Sequence, residues 1–188
     1  MHRLLPCWMA ILLLLTLQVA AEEFAGKNLT ARDFKGRTMN GADFSGANLT
    51  TAIFTDAVLR HASFKNSVLS GTMFWNTDLS DADFRGASGN PIKFGTRSNL
   101  TNANLEGVTF MVGGDVNLHQ ANLKNATIFA SSLNGCDLSK SDLRGTNMRK
   151  VNLATGAAGA NFRGAQYDDN TSFPDGFDIE GSGVVKAR

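Results

Sequence analysis

Proline is scarce in this chain, 3 residues in 188, beside 2 Cys and a single Tyr. So few cysteines exclude a fold stapled by disulfides. Charge of one sign is also missing: 18 Lys+Arg stand against 17 Asp+Glu, for a net charge of +1. Nothing in that balance points to nucleic acid or an anionic membrane as partner. The chain is equally short of the acidity that a mimic of DNA needs. Phosphate loops, nucleophile elbows and zinc motifs are absent from the sequence. Long apolar runs are absent too, except for one at the beginning.

That run extends from Leu4 to Val19, after Arg3, and only Thr16 and Gln18 interrupt it. Val19, Ala20 and Ala21 then place small residues before the acidic pair Glu22-Glu23. The order is that of a secretory signal cut after Ala21. Its 16 residues fall short of the roughly 20 needed to cross a bilayer. The expectation is a mature chain starting at Glu22, exported, with no stable membrane insertion after cleavage, and with Cys136 as its one thiol.

The rest of the chain keeps time in fives. From position 24 the stations are Phe24, Leu29, Phe34, Met39, Phe44, Leu49, Phe54, Leu59, Phe64, Leu69, Phe74, Leu79 and Phe84. Random order would produce such a series roughly once in a billion trials. The series misses at Gly89 and resumes at Phe94. One inserted residue carries it to Leu100, Leu105 and Phe110, and three more within Met111 to Asp115 carry it to Leu118. It then runs through Leu153, slips, and closes at Phe162 and Tyr167.

The neighbours of each station are also patterned. Two residues earlier stands a small one, as at Ala42, Ala47, Ala52, Ser67, Ala103 and Ser131. Just before the station stands Asp or Asn, as at Asp43, Asn48 and Asp83, and two after it Gly is common, as at Gly36, Gly46 and Gly86. In extended chain, residues two apart share a face, so the station and the small residue point inward and the Asp/Asn points to water. Gly suits the corner that follows. Four such sides close a square coil of 20 residues, and Phe residues recurring every 20 form two ladders on opposite walls. A 3.6-residue helix would scatter the stations, and strict alternation does not match a period of five.

The segments ADFSGANLTTAIF, ADFRG, ANLEG, ANLKNATIF and CDLSKSDLRGTNM resemble the pentapeptide-repeat proteins, over roughly residues 24–167. The resemblance implies an all-β fold, a right-handed quadrilateral β-helix, expected to have about seven coils. The expected organisation is a signal peptide at 1–21, the β-helix at 22–167, and a C-terminal cap and loose tail at 168–188. Lys27, Arg32 and Arg37 depart from the pattern, with long cations at the small inward position. They are expected at an N-terminal end where the core meets solvent.

Candidate chemistry is thin. His61 and His119 are expected on the surface and far apart, and Cys136 as a buried thiol; no cofactor, metal site or catalytic set is expected. The Asp/Asn residues read as solvated columns, and five glycosylation sequons follow from repeat composition. One departure carries more information. Ile53, Val58, Val68 and Met73 are apolar where the pattern asks for a polar, outward residue. With 20 residues to a coil, Ile53 and Met73 stack one above the other, with Trp75 beside them and Lys35 and Lys93 on adjacent coils. This patch, Ile53, Met73 and Trp75, is the candidate protein-binding site, unless the loop at Ala87–Ile92 covers it.

The functional expectation is an exported, non-enzymatic scaffold or protein-binding module, with a protein partner in the cell envelope and a homodimer left open. The alternative is an envelope or carbohydrate-binding surface built on the Asn/Asp/Thr columns. Family members that imitate DNA and protect gyrase suggest a third role, against which charge balance and export both speak. The expected location is periplasmic or extracellular, with the thylakoid lumen as alternative.

Overall fold

The computed structural model describes residues 23–129, 133–149, 151 and 159–188. The expected signal peptide at 1–21, Ser131 and the station Leu153 lie outside the described residues.

In most five-residue units the residue before the station alone forms the bridge to its neighbours in the coils above and below. Four parallel ladders result, one per wall. Wall 1 runs Glu23, Asp43, Ser63, Asp83, Asn104, Asn122, Asp142 and Gln166; wall 2 begins Asn28, Asn48, Val68, Ser88; wall 3 begins Asp33, Ile53, Met73; wall 4 begins Thr38, Val58, Asp78, Asn99. The station N–H donates forward to the next coil, as Phe44 does to the Ser63 carbonyl at 2.8 Å. The preceding N–H donates backward, as Asn48 does to the Lys27 carbonyl at 3.0 Å. Between stations the chain turns a corner with one residue in the left-handed region. Gly26, Gly36 and Gly46 take it freely, and Thr51, Asp56, His61 and Asn66 take it as well. For a non-glycine residue this conformation costs about 1 kcal/mol. Its N–H recovers a bond to the next coil, as from Asp56 to the Trp75 carbonyl at 3.0 Å.

The stations fill the interior. Phe44 and Phe64 stack at 5.1 Å and 7°, Phe34 and Phe54 at 4.9 Å and 8°, while Phe44 meets Phe54 edge-on at 5.4 Å and 84°. Both ladders lie in a single buried core. Inward Ser and Thr are tolerated because their hydroxyls reach backbone carbonyls: Thr72 donates to Leu49 at 2.8 Å and Thr146 to Leu123 at 2.7 Å. Among the described residues, every buried side-chain polar atom has a partner.

The coils are not all of one length. Asp78 pairs with Asn99 and Asp83 with Asn104, one residue beyond the regular register. The next coil is short: Asn99 pairs with Asn117 and Asn104 with Asn122. Here the expectation of three extra residues within 111–115 is corrected, since the coil loses two. A period of five cannot distinguish the two, because both displace the stations equally. The loss is achieved by straightening a corner. Strand β2 (Thr109–Val112) runs with β1 (Ile92–Phe94) and β3 (Thr127–Phe129) in one parallel sheet, with Phe110 and Val112 both inward. Later coils lengthen again, Asp142 pairing with Gln166.

Each end is finished differently. Lys27, Arg32 and Arg37 are exposed; the Lys27 ammonium lies 5.7 Å from the Phe24 ring centroid and the Arg37 guanidinium 5.9 Å from that of Phe34. The long cations thus lie over rings of the first described coil. At the other end Phe173 and Phe177 stack at 4.5 Å, and Phe177 meets Phe162 edge-on at 5.0 Å, closing the core. The final residues are not a loose tail. Strand β5 (Val185–Lys186) pairs in parallel with β4 (Gln166–Tyr167), and Lys186 forms an ion pair with Asp169.

Phe64, fully buried in mid-ladder, should lose about 3–5 kcal/mol of stability on replacement by Ala. Phe24→Ala, in the partly exposed first coil, should lose less than half of that. Urea denaturation monitored by circular dichroism checks both; equal losses would contradict the stacked-coil account of stability.

Candidate functional site

The outward column of wall 3 differs from that of wall 1. Wall 1 presents Glu, Asp, Ser and Asn, whereas wall 3 presents Asp33, Ile53 and Met73, and then Lys93, Met111 and Phe129 along the β1–β2–β3 sheet. Met73, Trp75 and Met111 are exposed at 37%, 39% and 36%, while Ile53 and Phe129 are half-buried. The structure therefore brings Ile53, Met73 and Trp75 together on one wall. Val58 and Val68 do not join them, since they stand on walls 4 and 2. The Ala87–Ile92 loop leaves Met73 and Trp75 exposed, while its last residue, Ile92, points inward and is fully buried. Lys93 stands in the column between Met73 and Met111, while Lys35 lies two coils before Trp75.

Met111 and Phe129 were not legible as members of this column. The short coil aligns Met111 with Lys93 and Phe129 with Met111. Counting three inserted residues puts Met111 out of register. The usable signal was local: Thr-Phe-Met-Val alternates as a strand, without the usual corner residue.

Trp75 is held in place by the glycine one coil on. A side-chain carbon on Gly95 would collide with Cδ1, Nε1 and Cγ of the indole, so the ring sits directly over the Gly95 backbone and buries it. Beneath, the Trp75 carbonyl accepts from the Asp56 N–H and, at 3.1 Å, from the Thr77 hydroxyl. The ring is thus a flat shelf on a rigid wall.

The remaining candidates stand apart from wall 3. His61 is exposed at a corner, 3.9 Å from the Asp81 carboxylate, and His119 Nδ1 is 2.7 Å from the Ser139 hydroxyl. Burial pushes the Cys136 thiol up, away from thiolate chemistry. Sequon residues Asn28, Asn48 and Asn99 each accept from the hydroxyl of the Thr two positions on, at 2.7 Å. Among the described residues, no group of three or more His, Cys, Asp or Glu is arranged to hold a metal ion, and no helix is long and apolar enough to cross a membrane.

The outward carboxylates are occupied as well. Asp83 sits between Lys65, at 3.2 Å, and Arg85, at 2.7 Å; Asp142 sits likewise between Lys124, at 3.4 Å, and Arg144, at 2.6 Å. Burial alone would raise Asp83, but the Arg85 side chain and amide, with Lys65, outweigh it and bring the carboxyl down to about 2. Asp43, Asp78, Asp142 and Asp168 are also pushed down, each by hydrogen bonds to the ionised form.

Two outcomes are expected. Gly95→Ala should displace the Trp75 indole into solvent and move its fluorescence emission to longer wavelength with the fold unchanged by circular dichroism; an unmoved emission would contradict the shelf geometry. Because Asp83 titrates lower when folded than at its ordinary 3.8, its contribution is complete above about pH 5 and is lost as the pH falls through about 2. The stability difference between parent and Asp83→Asn, from urea midpoints, should shrink between about pH 5 and about pH 2.

Comparison with known proteins agrees with the ladders. The family described as Pentapeptide repeats matches in 8 copies, over residues 28–66, 52–88 and 117–154. Among solved structures, a pentapeptide repeat protein from the Arabidopsis thaliana thylakoid lumen is 32% identical, covering 67% of this chain and 71% of its own, with a TM-score of 0.35. HetL, a pentapeptide repeat protein involved in heterocyst differentiation regulation in the cyanobacterium Nostoc, is 18% identical over 88% of each chain, with a TM-score of 0.44. QnrB1, a plasmid-mediated fluoroquinolone resistance protein, is 23% identical over 89% of this chain and 90% of its own, with a TM-score of 0.36. No curated protein matches. With the five-residue period, the four parallel ladders and the matched repeats in agreement, this chain belongs to the pentapeptide-repeat family, whose members fold as right-handed quadrilateral β-helices.

Proposed function

We propose that this protein is an exported, non-enzymatic β-helix that serves as a protein-binding module, with wall 3 as the binding face. The observation that carries the reading is the exposed column of Met73, Trp75 and Met111, flanked by Ile53 and Phe129, on a wall whose backbone is locked on both sides. Apolar side chains that stay exposed on a rigid surface cost solubility and supply affinity, so they mark a contact face. A fixed aromatic with few rotamers to lose is the type of residue that anchors such contacts. Lys93 within the column favours a partner that sets an acidic group among apolar ones.

The chemistry elsewhere supports a non-enzymatic role. The shifted carboxylates are all lowered, which makes them poor general acids at neutral pH. Asp83 and Asp142 are each neutralised by two cations, so wall 1 lacks the unbroken negative face that imitating DNA demands. Export rests on the N-terminal segment, with the periplasm, the extracellular space and the thylakoid lumen as its destinations.

The test is affinity capture from the envelope fraction of the host, with parent protein beside a Met73→Ser/Trp75→Ala variant of unchanged circular dichroism. A protein identified by mass spectrometry, rebound in purified form by the parent and at least about tenfold more weakly by the variant, is the expected result. Equal binding by both would move the site off wall 3.

A further inference from the structure

The corner that follows wall 1 carries one arrangement twice. Lys65-Asn66 and Arg85-Gly86 on adjacent coils recur three coils later as Lys124-Asn125 and Arg144-Gly145. The geometry recurs with the residues. Asn66 and Asn125 turn the corner at φ 56° and 55°, Gly86 and Gly145 at 70° and 69°. The Asn N–H donates to the Arg carbonyl at 3.0 Å in both. Each Asn side chain lies so close over its glycine that any Cβ there would collide with Oδ1. In both, Lys and Arg grip one aspartate, leaving further donors of the ammonium and guanidinium turned outward. Each corner opens on a cavity, about 370 Å³ at the first and about 270 Å³ at the second.

The two differ in what meets the glycine N–H. Elsewhere on this corner it donates to the next coil, as from Gly46 to the Lys65 carbonyl and from Gly107 to the Lys124 carbonyl, both at 2.8 Å. At the second site a carboxylate replaces the carbonyl: Asp168 Oδ1 accepts from Gly145 at 2.9 Å and lines the cavity with Lys124, Asn125 and Arg144. At the first site the Gly86 N–H has no acceptor among the described residues. Glu106 stands on the following coil, near enough to raise Arg85, with its carboxylate 3.5 Å from the Asn122 amide.

We propose that the Lys65–Asn66–Arg85–Gly86 corner binds a carboxylate from outside, the side chain of an aspartate or glutamate in a partner polypeptide. The second site displays the bound state, with a polypeptide aspartate of this same chain as its ligand. The recognition elements are a backbone N–H in a left-handed corner and two cations held in place by Asp83. Glu106 is the intramolecular competitor. The proposal concerns wall 1 and stands or falls independently of the wall 3 reading.

The test is a titration of ¹⁵N-labelled protein with the acetylated, amidated tetrapeptide Asp-Asp-Asn-Thr, the sequence of the internal ligand, at constant ionic strength. The Gly86 amide proton should move downfield and saturate, and should not respond to the Asn-Asn-Asn-Thr control. Arg85→Gln should weaken the response about tenfold, and Glu106→Gln should strengthen it. The Gly145 amide should stay still in the parent and become responsive in Asp168→Asn. A Gly86 amide that is unmoved, or moved equally by the uncharged control, overturns the proposal, as does a response that appears only in Glu106→Gln. Saturation by galacturonate at lower concentration than by the peptide would overturn the assignment to a polypeptide acid. Retained amide dispersion in each variant excludes unfolding as the cause.

Discussion

Every feature of this molecule depends on the bonding of one coil to the next through single residues. Each five-residue side sends one N–H forward from its station and one backward from the residue before it, as at Phe44 and Asn48. Apart from the β1–β2–β3 segment, the described coils pair through isolated bridges rather than continuous strands. A lone coil would have its corner conformations to sustain and few partners for its amides, so stability comes from stacking. The same requirement explains the interior. Only a side chain large enough to reach the axis, set beside a small one, fills a square section without voids, and the stacked Phe residues do this at the coil spacing.

Departures from the regular coil are where the molecule acquires individual character. The coil that loses two residues straightens a corner into β2, which sets Met111 beyond Lys93. The ends show two ways of closing a solenoid. Cations lie over aromatic rings at the first described coil, where Phe24 keeps some contact with water. A folded-over segment with stacked Phe173 and Phe177 closes the other end and covers part of its edge with β5.

Electrostatics follows from the same repetition. Charges placed on one column recur at the coil spacing, so an aspartate finds cations on its own coil and the preceding one, as Asp83 and Asp142 do. Such exposed pairs add little stability each, but they fix long side chains in register and leave donors outward. An apolar column is the contrary case: on wall 3 Met73, Trp75 and Met111 stand exposed to solvent.

The fold was almost wholly legible in the amino-acid order. A period of five with a large apolar residue at each station admits one closed solution, and the small, polar and glycine positions follow from which side of the chain faces inward. Ile53, Met73 and Trp75 could be placed together because two of them are one coil apart. The short coil could not be read, because a gain of three and a loss of two leave the same phase; hence Met111 and Phe129 escaped notice. Nor could the sequence say that Ile92 turns inward while Met73 and Trp75 stay exposed, that Gly95 receives the indole, or that Asp168 reaches back to Gly145. Those depend on the distance between residues of different coils, which backbone pairing across the stack decides and the local pattern does not contain.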